Sequence, residues 1–103
     1  MKSPDFSRSD RLSDLIRTEI SIILRDEVRD PRLDGLTIIR VELSKDTKKA
    51  FVFFSPSNSF SQSNPQEIFQ ALKKAKGFIR SNLGKKIKIK YLPELSFHED
   101  LTP

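Results

Sequence analysis

The segment AFVFFS, residues 50–55, constrains the fold most, because five consecutive apolar side chains cannot all lie on one face of a strand. Side chains of a strand alternate between the two faces of a sheet, so this pattern is typical of a strand in a central position or covered by a helix. A chain of 103 residues, 36% of them apolar, provides one modest core, to which eight phenylalanines should contribute much. We therefore expect one domain, residues 1–103, with 1–8 flexible and 99–103 forming a short tail.

An amphipathic helix is predicted from Arg11 to Val28. Its apolar residues recur at spacings of three and four, at Leu12, Leu15, Ile16, Ile20, Ile23 and Leu24. Ser9 or Asp10 can cap its start, and Pro31 disfavours helical geometry at the residue before it, which ends the helix. The segment DPRLDG, residues 30–35, is then a turn.

A strand before AFVFFS is indicated by strict alternation. Ile39, Val41 and Leu43 alternate with Arg40 and Glu42, which is the pattern of a half-buried strand. The residues SKDTKK, 44–49, then make a hairpin loop, so the first two strands should be antiparallel neighbours.

A second helical region is predicted after the serine-rich loop 56–63. Asn64 is a suitable N-cap, with Pro65 at the first helical position and Glu67 placed for a capping box. The apolar residues that follow on one side of the helix are Ile68, Leu72, Ala75, Ile79 and Leu83. Gly77 is expected to divide this region into two helices, and Gly84 is expected to be its C-cap.

The third strand is predicted at residues 87–91, where Ile87, Ile89 and Tyr91 alternate with lysines. Pro93 interrupts this strand, and the apolar parity continues beyond it. The order is α-β-β-α-α-β, an α+β fold with a three-stranded sheet and helices on one face. A right-handed crossover should make the second and third strands parallel.

The net charge of +5 comes from one block of the chain. Between Ile68 and Pro93 there are eight basic residues and no acidic one: Lys73, Lys74, Lys76, Arg80, Lys85, Lys86, Lys88 and Lys90. A basic patch of this kind favours nucleic acid or an anionic surface as a partner, and the alternative is a solvated face that aids solubility. Because Lys73, Lys76 and Arg80 lie opposite the apolar side of the helix, helix and strand could present one contiguous basic surface, provided that they are adjacent.

Catalytic chemistry has little support in this sequence. There is no cysteine, no glycine-rich phosphate loop and no metal-ligand spacing, and His98 is the only histidine. We therefore expect no enzyme, no catalytic residue, no metal site and no cofactor. No apolar run approaches the roughly 20 residues that cross a bilayer, so we expect no membrane partner. The N-terminal segment MKSPDFSRSD is unlike a secretory signal, so we expect a cytoplasmic protein. We also expect a monomer.

Two segments allow more than one interpretation. KKAFVFF, residues 48–54, is faintly similar to the aromatic RNA-stacking strand of an RRM, but that fold does not begin with a long helix, and core phenylalanines are the favoured interpretation. In DPRLDG, Arg32 could contact a phosphate, although a turn that ends a helix explains the segment equally well.

Three motifs carry a resemblance to a known family over nearly the whole chain. They are DPRL at 30–33, A-x-G-F-I-R-x-x-L-G at 75–84 and Y-x-P-E-L-x-F at 91–97, in this order and after a long helix. Together they resemble bacterial ribosome-binding factor A. The resemblance implies a type II KH-like fold in which Ala75, Lys76 and Gly77 form a helix kink where ordinary KH domains carry a Gly-Xaa-Xaa-Gly loop.

The resemblance also implies a function. Members of the family bind the free small (30S) ribosomal subunit during late maturation, contact 16S rRNA, help its 5′ end to mature and have a role in growth at low temperature. This chain differs from the family in its serine-rich loop and in ending at Pro103. The alternatives are a generic KH-like module for single-stranded RNA, or a protein-interaction domain whose basic face meets an acidic partner. The Gly77 kink is expected to direct the cations outward, or else to permit a close contact between helix and sheet.

Overall fold

The computed structural model describes residues 8–56 and 64–101. Two helices and a three-stranded mixed sheet make up this part of the chain, which confirms the predicted α+β class. The elements in chain order are α1 (Arg8–Asp26), a 3-10 turn (Pro31–Leu33), β1 (Thr37–Leu43), β2 (Lys49–Ser55), α2 (Pro65–Lys86) and β3 (Glu94–Glu99). The expected flexible start, most of the serine-rich loop and the end of the tail (1–7, 57–63 and 102–103) lie outside the described residues.

The sheet has β2 at its centre, as the apolar pattern of this strand predicted. β1 pairs with β2 antiparallel, and β2 pairs with β3 parallel, so the predicted parallel pairing of the second and third strands is confirmed. Because β1 and β3 are on opposite edges, surfaces along these two strands are separated by the width of the sheet.

The core lies between the two helices and one face of the sheet. Ala50, Val52 and Phe54 of β2 point into it and are fully buried. They meet Ile16, Ile20 and Ile23 of α1 and Ile68, Leu72, Ile79 and Leu83 of α2. The expectation that phenylalanines supply much of the core is wrong for the described residues, because only Phe54 of them is buried. Strand alternation places Phe51 and Phe53 on the other face, and Phe69 and Phe78 are exposed on α2.

Strand β1 differs from its prediction at one residue. The register of β1 against β2 shifts between Ile38 and Arg40, which is a β-bulge. The extra residue changes the parity, so Ile38 and Val41 are buried while Ile39, which was predicted to face inward, is 41% exposed.

Helix α1 begins earlier than predicted. It starts at Arg8, within the segment expected to be flexible, so Ser9 and Asp10 lie in its first turn and are not its cap. The helix ends at Asp26, close to the predicted end. The turn that follows is capped by Asp30, whose side chain accepts a hydrogen bond from the backbone N–H of Arg32, and Gly35 has a φ of 75°, which glycine adopts without strain.

Helix α2 is continuous, so the predicted division at Gly77 is wrong. Its start is as predicted: the Asn64 side chain accepts from the N–H of Glu67, and the Glu67 side chain accepts from the N–H of Asn64. Gly77 is exposed, and a Cβ built on it has no atom within 4 Å, so a close helix–sheet contact is also excluded as its reason. The helix runs past Gly84, the predicted C-cap, and ends at Lys86 with Ile87 as its cap.

The third strand lies after Pro93 and not at residues 87–91. The N–H of Ile87 still bonds to the carbonyl of Leu83, and proline has no N–H to offer to a sheet. The N–H of Glu94 bonds to the carbonyl of Lys48, the residue just before β2, at 2.8 Å. β3 therefore includes Glu99, the first residue of the predicted tail.

Candidate nucleic-acid interface

Lys73 and Lys76 lie on the side of α2 that faces β3. Spacings of three on a helix place two side chains on the same side, so both line a groove of about 400 Å³ between α2 and β3. We call it the α2–β3 groove, and its other lining residues are Gln66, Phe69, Gln70, Leu95, Ser96 and Phe97. The groove thus combines two cations and two amides with an apolar floor.

A second groove continues the first at the β1–β2 hairpin. This hairpin groove, of about 390 Å³, is lined by Lys48, Lys49, Phe51, Lys76, Glu94, Leu95 and Ser96. The two grooves share Lys76, Leu95 and Ser96, and together we call them the basic groove. Glu94 moderates its charge, since a carboxylate oxygen of Glu94 lies 3.8 Å from the Nζ of Lys76.

Sequence reasoning missed Lys48 and Lys49 as members of this site. Both are exposed, and the sequence placed them in the SKDTKK hairpin loop and at the start of KKAFVFF, but not among the predicted binding cations. The signal that could have found them is the predicted parallel pairing of the second and third strands, because it places the start of β2 beside the start of β3. That neighbour relationship connects the hairpin with Lys76 of α2.

Arg80 makes contacts inside the domain. Its Nε donates to the carbonyl oxygen of Pro93 at 3.0 Å, and its Nη2 donates to that of Leu92 at 2.8 Å. The side chain therefore holds the segment between α2 and β3, a role that the helical wheel did not indicate.

Lys74 and Arg32 lie on another side of the molecule. Lys74 lines a depression between the end of α1 and α2, together with Glu27, Arg29, Asp30, Ala75 and Phe78. Arg32 forms a two-pronged ion pair with Asp30, with N–O distances of 3.1 and 2.8 Å. The hydrogen bonds from Arg32 lower the pKa of Asp30, and the same pair raises the pKa of Arg32. A phosphate at Arg32 would have to compete with this internal carboxylate.

The remaining four cations are at the end of α2 and in the segment after it. Lys86 is 3.4 Å from a carboxylate oxygen of Glu27, while Lys85, Lys88 and Lys90 are exposed. Ile87 is buried and Ile89 packs against the core, but Tyr91, which was predicted to face inward with them, is 75% exposed. Lys73 and Lys76 thus line the basic groove, Lys74 lies near Glu27, and the other four lysines are at or just after the end of α2. The predicted strand at 87–91 is absent, and one contiguous basic surface stays a prediction.

His98 is half-buried on β3, beside Ser96 and two phenylalanines of β2. Its Nε2 is 2.8 Å from the hydroxyl oxygen of Ser96, and its ring centre is 5.8 Å from that of Phe51 and 5.5 Å from that of Phe53. Among the described residues, no group of three or more His, Cys, Asp and Glu side chains is placed to hold a metal ion.

The basic groove suits a polyanion. Ammonium groups contact phosphates mainly through charge, and the amides of Gln66 and Gln70 can hydrogen-bond to base edges. The fold and this surface define a small α+β domain with a cationic groove along a sheet edge, a class typical of nucleic-acid-binding modules.

The chain belongs to the ribosome-binding factor A family, whose sequence profile matches residues 8–103. It is 36% identical to Ribosome-binding factor A of Syntrophobacter fumaroxidans, over 93% of this chain and 82% of that protein. The corresponding protein of Dictyoglomus thermophilum is 45% identical, over 90% of this chain and 77% of the relative. This family consists of ribosome-binding factors and is not an enzyme family.

Structures of ribosome-binding factor A proteins share the fold. The crystal structure of ribosome-binding factor A from Thermus thermophilus shares the fold, with a TM-score of 0.78, 22% identity and coverage of 90% of this chain and 97% of that one. A homology model of the Thermus thermophilus ribosome binding factor A, fitted into a cryo-EM map of a 30S complex, has a TM-score of 0.60 and 27% identity, covering 86% and 87% of the two chains. Within residues 8–56 and 64–101, no helix is long and apolar enough to cross a membrane.

Proposed function

We propose that this protein binds the free small (30S) ribosomal subunit in the cytoplasm and assists the late maturation of 16S rRNA, including its 5′ end, with a role in growth at low temperature. Family membership supports the ribosome as the partner, and the Thermus thermophilus relative has been placed in a 30S complex. The observation that carries the proposal for this chain is the basic groove, in which two grooves that share Lys76, Leu95 and Ser96 are lined by Lys73, Lys48 and Lys49 as well.

The cations have different tasks in this proposal. Lys73 and Lys76, with Lys48 and Lys49, contact phosphates of the rRNA in the basic groove. Lys85, Lys88 and Lys90, all exposed, contact the subunit from the last turn of α2 and the segment after it. The other proposed contacts are Lys74, Lys86 and Arg32, each of which has an acidic neighbour, and Arg80, which mainly shapes the surface.

The kink residues retain a proposed role in binding, although α2 is not divided. Ala75 and Gly77 flank Lys76, and Gly77 is exposed with open space around it. A helix surface without a side chain at this position lets a partner approach the backbone closely. We assign Gly77 to the interface because nothing inside the described domain requires a glycine there.

The test is sedimentation of the tagged full chain with ribosomal particles from its own cells. We expect the protein to sediment with free small subunits and not with translating ribosomes. The double variant Lys73→Glu/Lys76→Glu should release it from the subunits. Its melting temperature should fall only slightly, because Lys73 is exposed and Lys76 is half-buried with a single long ion pair to Glu94.

A matched control is offered by α1. Arg8→Glu/Arg11→Glu changes the net charge by the same amount, but both arginines are exposed near the start of α1, away from the basic groove. If both double variants no longer sediment with the small subunits, binding depends on net charge and not on the basic groove. Retention of Lys73→Glu/Lys76→Glu on the subunits would contradict the assignment of the groove.

Two alternatives make different predictions. A generic module for single-stranded RNA would bind unrelated RNA as tightly as it binds the small subunit. A protein-interaction domain would bind an acidic protein and would show no salt-dependent binding to purified rRNA, whereas phosphate contacts lose affinity steeply as salt rises.

A further inference from the structure

The face of the sheet opposite the core carries a cluster of aromatic side chains. Both described helices pack on the face that holds Ala50, Val52 and Phe54, so strand alternation directs Phe51 and Phe53 to the other side. Register places Phe51 beside Ser96 and Phe53 beside His98 of β3. All four residues are half-buried. Packing in the core therefore does not explain why Phe51, Phe53 and His98 are aromatic.

The rings in this cluster are held in place by one another. The His98 ring is tilted against both Phe51 and Phe53, with centre distances of 5.8 and 5.5 Å, and its Nε2 is within hydrogen-bond distance of Ser96. Fixed orientations of this kind reduce the entropy lost when a planar ligand stacks on the rings.

The two phenylalanines differ in what covers them. The guanidinium of Arg40 lies 3.8 Å from the centre of the Phe53 ring, and Arg40 is held there by ion pairs with Glu42 and Asp100. Phe53 is therefore already stacked with a planar cation. Phe51, in contrast, lines the hairpin groove together with Lys48, Lys49 and Lys76. The aromatic cluster and the basic groove are thus connected at Phe51.

We infer that Phe51 and His98 form a stacking site for one unpaired base of an RNA whose backbone lies on Lys48, Lys49 and Lys76. The inference rests on the proposed function, because it uses the same RNA and the same groove. Single-stranded nucleic acid is recognised by aromatic side chains that stack bases beside cations that follow the backbone, and this combination is present around Phe51. The charge next to Phe51 favours RNA over an apolar protein partner, since three lysines and one glutamate line the same groove.

The experiment measures the affinity of the full chain for two probes of about ten nucleotides, a single-stranded oligoribonucleotide and the same backbone with abasic sites. Phe51→Leu keeps an apolar side chain of similar volume but removes the ring. We expect it to weaken binding of the base-bearing probe by about fivefold or more, because one base–aromatic stack contributes about 1–3 kcal/mol. Binding of the abasic probe should not change.

Two further variants make the test specific. Phe53→Leu is the matched control: it removes a ring of the same strand that Arg40 already covers, and it should leave both affinities within about twofold. Phe51→Trp retains a stacking surface and should bind the base-bearing probe as the unchanged protein does. Thermal melting establishes that each variant is folded, and if Phe51→Leu does not fold, the Phe51→Trp and His98→Ala variants are compared with the same probes.

The outcomes separate this inference from the proposed function. Equal affinity of Phe51→Leu and the unchanged protein for the base-bearing probe overturns the stacking site while leaving the basic groove intact. Loss of affinity for both probes in Phe51→Leu also overturns it, because the ring would then act on the groove and not on a base. If the unchanged protein binds neither probe and no small subunits, the proposed function fails. Binding of subunits without either probe overturns the stacking site, because the protein then has no affinity for an unpaired strand.

Discussion

The Nε of Arg80, on α2, donates a hydrogen bond to the main-chain carbonyl oxygen of Pro93, at 3.0 Å. A second bond from the same guanidinium reaches Leu92, so one side chain of the helix fixes the backbone just before β3. Arg80 was predicted from the sequence to be an RNA-binding cation, and these two hydrogen bonds give it a structural role. They also explain how β3 reaches its register beside β2 directly after a proline.

Replacing Arg80 by alanine should destabilise the fold. Two charge-assisted bonds to partly buried carbonyls are removed, and we expect the free energy of unfolding to fall by about 1–3 kcal/mol. Arg80→Lys should recover part of this stability, because lysine retains the charge but lacks the planar two-pronged geometry. Denaturant unfolding of the two variants measures the difference. If Arg80→Ala is as stable as the unchanged protein, the two hydrogen bonds do not hold the segment.

Replacing Gly77 by alanine should stabilise the isolated protein. The position is inside a continuous helix, exposed and without a neighbour within 4 Å of an added Cβ, so the alanine gains about 1 kcal/mol of helix propensity without a clash. Thermal melting tests this gain, and subunit cosedimentation tests the interface. We expect weaker cosedimentation in spite of higher stability. A variant that is more stable and binds equally well would show that no partner approaches this backbone.

Stability should depend on the charge of Asp30. Its pKa is lowered from the usual 3.8, first by the hydrogen bonds from the Arg32 side chain, so its contribution is present above this value and is lost as the pH falls through the lower pKa of the folded state. Asp30→Asn should therefore be less stable than the unchanged protein at pH 7, and the difference should shrink at pH values below 3.8.

The control for this prediction separates charge from capping. Asparagine keeps a side-chain oxygen that can accept from the N–H of Arg32, whereas Asp30→Ala removes this cap as well, at a further cost of about 1 kcal/mol. Unfolding measured across the pH range gives both effects. A constant difference between Asp30→Asn and the unchanged protein at all pH values would exclude a role for the ionised carboxylate.

The salt dependence of RNA binding should show whether Lys48 and Lys49 of the hairpin contact phosphates. In Lys48→Gln/Lys49→Gln, the slope of log affinity against log salt should become shallower by about 0.7 for each phosphate of a single strand that the variant no longer neutralises. Lys45→Gln is the matched control, since Lys45 is exposed in the same loop but does not line the hairpin groove. Identical slopes for the double variant and the control would place the RNA elsewhere.

Local patterns in the sequence predicted most of the elements. The spacing of isoleucine and leucine indicated both helices, the Asn64–Glu67 capping box indicated the start of α2, and the apolar run of β2 indicated a central strand. These features depend on residues that are close in the chain, so backbone hydrogen bonding and amphipathicity determine them locally. The block of cations was visible for the same reason, because charge is a property of composition.

The tertiary structure decided where these elements are exposed to partners. A bulge in β1 turned Ile39 outward. The hydrogen bond from Arg80 to Pro93, thirteen residues further along the chain, gave Arg80 a structural role. Parallel pairing of β2 and β3 placed Lys48 and Lys49 near Lys76. Gly77 is another case in which local sequence was insufficient. Its low helix propensity predicted a break, but the packing of Ile79 and Leu83 in the core keeps α2 continuous. Contacts between distant parts of the chain have no periodic signature, and therefore only the fold could show which cations share a groove.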